Sequence, residues 1–187
     1  PKESESSEGR GEGFELRTDQ WGAIRAGKGL LISTYRQDSA AGNHLDASRA
    51  KEQIESNLNH SKALSDIAEQ QQTDPLQFFD SLKQFLNQIE AEDQAKAAAF
   101  KQAVMLLTAP QSIALSTKEN IHLSADQQIN QSAGDNIHFS TQKSLVAHAQ
   151  DRISLFAAQE GVSVYAAQGK IEIQAQDDAI EAIARKV

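Results

Sequence analysis

Few residues of this sequence have the types and spacing of a chemical site. Gly22, Gly27, Lys28 and Gly29 match the start of a phosphate-binding loop, GxxxxGK, in which backbone amides and a lysine hold the phosphates of a nucleotide. Gly29, however, stands where a Ser or Thr must ligate Mg²⁺, and no clear buried strand leads into the loop. The glycines are better interpreted as corners between short strands.

The histidines and carboxylates do not form a recognisable metal or catalytic pattern. The histidines are His44, His60, His122, His138 and His148. No HxH or HxxxH pair occurs among them, and the sequence has no Cys, so thiolate ligands and Cys nucleophiles are excluded. Asp177 and Asp178 adjoin and would point to opposite faces of an extended segment. We therefore expect no catalytic residue, no metal site and no cofactor.

Composition and charge exclude further classes of function. The 26 acidic residues outnumber the 18 basic ones and give a net charge of −8, which opposes binding to nucleic acid or to anionic lipid. Aromatic residues make up 5% of the chain, so any core consists of small and aliphatic side chains. No apolar stretch approaches the roughly 18 residues that a membrane span needs.

The first 108 residues contain three kinds of segment. Residues 1–13 are charged and rich in Ser and Gly, which predicts a flexible N-terminal segment. Apolar and polar residues alternate between glycines over 14–36, which predicts short strands. Over 46–108, apolar residues recur three and four apart, which predicts a helical hairpin whose second helix continues to Leu107.

The start of that second helix has its own sequence signals. Asp74 can cap free amide groups, Pro75 suits the first helical position, and Gln77 can reach back to the cap. We therefore expect the helix to begin at Pro75.

Residues 113–187 consist of nine similar units of eight or nine residues. Their first apolar residues are Ile113, Ile121, Ile129, Ile137, Leu145, Ile153, Val162, Ile171 and Ile180. The second residue after each start is also mostly apolar, and the fourth is always Ala or Thr. This alternation is the period of a strand, and the remaining residues of each unit are typical of turns. Each unit is therefore a strand of about five residues followed by a corner.

Such short strands must stack to bury their apolar face, and two stackings are possible. In a monomeric solenoid each strand pairs with the same chain one turn away. In an intertwined trimer each strand pairs with the two other chains. Nine units give the solenoid only three uncapped turns, so the trimer is favoured. The sequence thus predicts a mainly β fold, an intertwined trimeric β-helix forming a triangular prism needle, with an inserted α-helical hairpin.

The inward positions of the units form the predicted trimer core. Gln131 is the strongly polar member, and three copies would meet near the axis and must hydrogen-bond each other, a trapped water or an ion. The predicted core consists of Ile113, Leu115, Ile121, Leu123, Ile129, Gln131, Ile137, Phe139, Leu145, Ile153, Leu155, Val162, Val164, Ile171, Ile173 and Ile180.

The repeats, together with GRGEGFELRTDQWGAIRAGKGLLIST over 9–34, resemble the C-terminal region of VgrG, the valine-glycine repeat spike protein of the bacterial type VI secretion system. The resemblance implies a trimeric needle that punctures target envelopes. It also implies a tube protein bound through an N-terminal part, a PAAR-type tip protein, and separate effector cargo. Such a protein assembles in the bacterial cytoplasm and is then delivered to the extracellular space or a target cell.

Two surfaces near the end of the chain are candidates for these partners. The blunt end at Ala184, Arg185, Lys186 and Val187 could dock the tip protein by pairing with the last strands. Outward Phe156, Tyr165 and Ile183 interrupt the polar outer face and could bind cargo.

Two other classes of function stay open at this point. One is a monomeric β-solenoid acting as an adhesin or carbohydrate-binding module, which would need aromatic rows on an outer face. The other is a needle with hydrolase activity, although a filled prism offers no cleft for catalysis.

Overall fold

The computed structural model describes residues 13–37, 44–90 and 100–184. Its regular elements are strand β1 (Leu30–Ser33), helix α1 (Ser48–Gln70), helix α2 (Phe79–Gln88) and strand β2 (Met105–Thr108). The flexible segment predicted for 1–13 lies outside these residues except for Gly13. Neither helix is long and apolar enough to cross a membrane.

β1 and β2 pair in parallel, with Leu30 opposite Met105 and Ser33 opposite Thr108. The ladder extends by one hydrogen bond at each end, from Leu30 N to Val104 O at 2.9 Å and from Thr34 N to Thr108 O at 3.2 Å. Parallel strands need a long crossover connection, and the helical insertion supplies it. The two strands therefore close the base of the insertion within one chain.

The prediction that the second helix continues to Leu107 is wrong, because β2 occupies this end of the segment. Leu106 is buried while Met105 and Leu107 are exposed, which is the alternation of a strand. A short apolar run of this kind fits a helix or a strand equally well by periodicity, and pairing with β1 decides the outcome.

Helix α1 is capped at both ends by short polar contacts. At its start, the Asp46 carboxylate accepts a hydrogen bond from the Ser48 amide at 2.9 Å and another from the Ser48 hydroxyl. These bonds lower the pKa of Asp46 below its usual value, and the negative charge suits the helix N-terminus. At its end, Gln72 adopts a left-handed φ of 61°, and the Thr73 amide donates to Ala68 O at 3.0 Å.

The prediction that the second helix begins at Pro75 is also wrong. The first helical bond of this region runs from Leu82 N to Phe78 O at 3.1 Å, so the helix starts four residues later than the sequence signals suggest. The Leu76 amide instead donates to Ser65 Oγ at 2.9 Å, which ties the preceding segment to α1. This bond between two elements replaces the local capping that Pro75 predicted.

The chain divides into two compact units. One combines the chain up to Glu52 with Gln84–Ile121, and it contains the β1–β2 pair. In this unit Lys51 Nζ lies 2.7 Å from Glu90 Oε1, and this bond lowers the pKa of Glu90. The other unit combines Gln53–Lys83 with the chain from His122 onward.

The β part predicted over 14–36 contains one strand, β1, among its described residues. The apolar residues that precede β1 are highly exposed, with Phe14 at 89% and Trp21 at 96%. Leu16 and Ile24 are also exposed. The described part of the chain does not cover these side chains.

Gly29 offers a test of the β1–β2 junction. Its φ of 121° is a conformation that side chains rarely adopt, and an added Cβ would lie 2.7 Å from Phe100 Cδ2 and 3.0 Å from Val104 O. We expect Gly29→Ala to lower the free energy of unfolding by about 1–3 kcal/mol because of backbone strain and this clash.

Urea denaturation of Gly29→Ala beside Gly27→Ala checks this expectation. A Cβ at Gly27 meets no atom within 4 Å, so this variant is the matched control. Equal stability of the two variants would contradict the account of the junction.

Candidate assembly surface

The backbone of the repeats bends at regular intervals. The bends fall at 118–119, 126–127, 134–135, 142–143, 150–151, 158–160, 167–169 and 176–178. These are the corners that the repeat predicts, and the later bends are longer because their units have nine residues. Gly161 and Gly169 take φ values of 82° and 86° at two of the longer corners, where glycine avoids a steric cost.

Threonine side chains stabilise two of the corners. The Thr117 hydroxyl accepts a hydrogen bond from the Glu119 amide at 3.2 Å, and the Thr141 hydroxyl accepts one from the Lys143 amide at 3.4 Å. Both threonines occupy the fourth-after-start position that is otherwise Ala. Each hydroxyl thus bonds to the turn that follows it, as Ser and Thr commonly do in turns.

The apolar residues of the repeats are not buried within the chain. All fifteen apolar members of the predicted core are between 47% exposed, at Ile137, and 76% exposed, at Leu155. Leaving this many large aliphatic side chains in water costs about 1.5–3 kcal/mol for each one that could otherwise be fully buried. A continuous exposed apolar face of this size marks an interaction surface.

The backbones of different repeat units also do not pair with one another in the described chain. Within 109–184 the structure shows no strand pair and no backbone-to-backbone hydrogen bond between one unit and another. A monomeric solenoid would pair each unit with the unit one turn away. This finding argues against the solenoid alternative.

The helical part of the second unit, which we call the arm (Gln53–Lys83), is attached to the repeats at two points. The Ser81 hydroxyl shares its one proton between Phe78 O at 2.8 Å and Gln128 Oε1 at 2.9 Å. The Arg152 guanidinium forms an ion pair with Asp74. These two contacts, called the anchors below, join residues 47 and 78 positions apart in the chain.

A groove of about 490 Å³ lies between the arm and the repeats. Its wall on the arm includes the apolar side chains of Ile54, Phe78 and Leu82. Its wall on the repeats includes Gln131 and Ile137, two members of the predicted core. A Cβ on Gly134 would lie 3.8 Å from Asn57 Oδ1, so the arm passes close to this corner.

The residues of the two predicted partner surfaces differ in how exposed their side chains are. Tyr165 is 89% exposed and Ile183 is 85% exposed, whereas Phe156 is 37% exposed. Ala184 is exposed, and the other residues of the predicted tip surface, Arg185, Lys186 and Val187, lie outside the described residues.

The structure does not bring the candidate residues from the sequence together into a metal, catalytic or nucleotide site. Among the described residues, no group of three or more His, Asp or Glu side chains is placed to hold a metal ion. Lys28 lies in a turn that closes with a bond from Gly29 N to Ala26 O at 3.3 Å, before β1 rather than after a strand. This order differs from that of a nucleotide-binding loop.

Sequence reasoning missed the anchor residues Ser81, Gln128 and Arg152 as a set. Each is a polar residue at a position where the sequence pattern is typical of a solvent-exposed helix or corner. The sequence predicts Asp74 as a helix cap, whereas in the structure its carboxylate accepts a hydrogen bond from the Arg152 guanidinium. The spacing of Gln128 and Arg152, three octads apart, is the one signal that could have linked them.

These features define a class of repeat protein: extended units that present an unpaired apolar face, interrupted by a helical insertion. Residues 92–187 match a family described as an uncharacterized protein conserved in bacteria, DUF2345. Residues 1–68 match a family described as a putative type VI secretion system Rhs element Vgr. The chain therefore belongs to the DUF2345 family, and its first 68 residues are similar to the Vgr proteins of the type VI secretion system.

Curated relatives and solved structures agree with this assignment. The type VI secretion system spike proteins VgrG2a and VgrG2b of Pseudomonas aeruginosa are each 47% identical over 68 residues, which is 36% of this chain. The chain spans 8% and 7% of the lengths of these two relatives.

Two solved structures share the fold over 95% of this chain, each with a TM-score of 0.82 and 28% identity. One is the VgrG spike from the type VI secretion system, and the chain covers 64% of it. The other is the Tle1 effector bound to the VgrG spike, and the chain covers 52% of that chain.

Charge reversal tests the ion pair between the arm and the repeats. We expect Arg152→Glu to speed hydrogen exchange of amides in 74–83 by about 1.4-fold to fivefold, because exposed pairs contribute about 0.2–1 kcal/mol. Adding Asp74→Lys to the same chain restores the attraction and slows exchange again. Exchange is measured by mass spectrometry.

Lys170→Glu is the matched control, since Lys170 pairs with Glu172 on the repeats alone. Equal exchange of residues 74–83 in Arg152→Glu and in this control would show that the pair does not hold the arm.

Proposed function

We propose that this chain forms the shaft of a homotrimeric spike of the type VI secretion system, and that its role is mechanical rather than catalytic. The observation that carries the proposal is the repeat face, whose apolar columns are exposed and whose described units form no backbone-to-backbone hydrogen bond with one another. The spike names of its curated relatives and solved structures support the same function.

Three copies related by a threefold axis would bury the apolar columns and would also supply strands for the backbone of each unit to pair with. Each unit then pairs with units of the two other copies, and the columns that begin with Ile113 and Leu115 turn inward to the axis. Residues 14–36 add the first β part, 46–108 the insertion and 113–187 the main shaft. A closed prism has no lateral strand edges, so it transmits axial force without starting to unfold at an edge.

The partners proposed for the shaft bind at different positions along its axis. A tube protein binds through an N-terminal part, and a PAAR-type tip protein docks at the end near Ala184. Effector cargo binds along the shaft, where Tyr165, Ile183 and the less exposed Phe156 form the proposed surface. The Tle1 effector bound to a VgrG spike supports cargo binding. The assembly forms in the bacterial cytoplasm and then delivers cargo to the extracellular space or a target cell.

The apolar columns offer the sharpest test of this function. We expect Leu123→Asp to abolish the trimer, because three carboxylates would be buried near the axis at a cost of several kcal/mol each. Sedimentation equilibrium of this variant should then give the mass of one chain, 20.4 kDa, where the unmodified chain gives three times that mass.

Ser124→Asp is the matched control, since it adds the same charge at the neighbouring outward position. We expect it to keep the trimer. A trimer that survives Leu123→Asp would contradict the proposed core.

Gln131 is proposed to form a polar ring that fixes the register of the three copies. We expect Gln131→Leu to remove this ring and change the melting temperature and the uniformity of the trimer, as measured by calorimetry and by sedimentation velocity. Unchanged register and unchanged stability would leave Gln131 as a plain polar defect in the core.

A further inference from the structure

The two anchors of the arm have a spacing that carries a further inference, which depends on the proposed trimer. Gln128 stands directly before the unit that begins at Ile129, and Arg152 stands directly before the unit that begins at Ile153. These units are three octads apart. In a three-sided prism, three units make one turn, so both anchors lie on the same edge of the shaft, one turn apart.

In an intertwined trimer, one turn of a single chain leaves room for strands of the two other copies. The chain climbs by one strand spacing of about 4.7 Å per unit, which places Arg152 about 14 Å above Gln128 along the edge. The absence of pairing between one described repeat unit and another agrees with this climb. Two strands, one from each of the other two copies, therefore start on this edge between Gln128 and Arg152.

Threefold symmetry identifies these two strands. At each height along the shaft, the three copies contribute the same unit, one on each face of the prism. The next unit of a given chain lies on the next face and one strand level higher than the unit before it. Above the unit of Ile129 on one face come the unit of Ile137 from one neighbouring copy and the unit of Leu145 from the other. The next level is again the chain's own unit, that of Ile153.

The corner residues on this edge follow the same order. Between a chain's own Gln128 and Arg152 lie Asn136 of one neighbouring copy and Ser144 of the other, because each stands directly before its unit. All four positions carry side chains that form hydrogen bonds. The arm is attached at the first and the fourth of them.

We propose that the arm of each copy spans both neighbours and fastens the three chains together. Its segment 74–81 is held at Asp74 and Ser81 and must cross the two foreign corners in between. Gln77 lies within this segment, is exposed, and has no hydrogen-bond partner in the described part of the chain. Its amide both donates and accepts, so it fits Asn136 of one neighbouring copy and Ser144 of the other.

The groove beside this segment fits the same occupant. Ile137 and Gln131 in its wall belong to the columns that the other copies cover, so the groove continues the proposed trimer interface. A strand of a neighbouring copy that pairs with these units passes next to Ile54, Phe78 and Leu82. The arm thereby packs on the outer side of the proposed trimer interface, and the apolar core lies on the inner side of the same interface.

Disulfide trapping tests the proposal, and the absence of Cys from the sequence gives a clean background. Gln77→Cys combined with Ser144→Cys should give covalently closed trimers on a denaturing gel after mild oxidation. Gln77→Cys with Asn136→Cys should do the same through the other neighbour. A chain's own Ser144 lies on another edge, so this pair is not expected to bond within one chain. A chain's own Asn136 stands beside Ile137, which shares the groove wall with Phe78, so the Asn136 pair is scored only on bands that contain two or three chains.

Gln77→Cys with Gln168→Cys is the matched control, because Gln168 of a neighbouring copy lies about two strand levels above Arg152 on this edge, and the chain's own Gln168 lies on another edge. It should stay uncrosslinked. The mass of each variant before oxidation separates the two hypotheses. Trimers without covalent bonds between copies would overturn the role of the arm alone, whereas monomers would overturn the proposed trimer as well. Equal crosslinking of the control would also overturn the proposed placement.

Discussion

The hydrogen bonds that the repeat backbone cannot make within its own chain are the constraint on which the rest of the structure depends. Eight corners turn the described chain at intervals of eight or nine residues, yet no unit pairs with another unit. Unpaired backbone groups and exposed aliphatic columns are tolerable in water but cannot give a stiff element. Both needs are met together when other copies supply the neighbouring strands, since strand pairing brings the apolar columns to a common axis.

The insertion shows how one chain can carry helices without losing this pattern. β1 and β2 pair in parallel within one chain, so the segment between them leaves and returns at a defined register. The arm then attaches to the repeats by one hydrogen bond and one ion pair, each weak because both are near the surface. Weak attachments of this kind gain strength when three copies repeat them around an axis.

The sequence predicted the repeats better than the insertion, for physical reasons. Corner positions follow from local turn chemistry, so the octad spacing located the bends, including those near Gly161 and Gly169. The end of the second helix depended on pairing between Leu30–Ser33 and Met105–Thr108, which local periodicity does not encode. Its start depended on Ser65, a partner in another helix. The anchors join residues far apart in the chain, and no short motif marks them.

The solution mass of the unmodified chain tests the central claim most directly. Light scattering on a sizing column should give three times the chain mass of 20.4 kDa, unchanged on dilution. A stable monomer would contradict the account, because the repeat backbone would then have to remain unpaired in water.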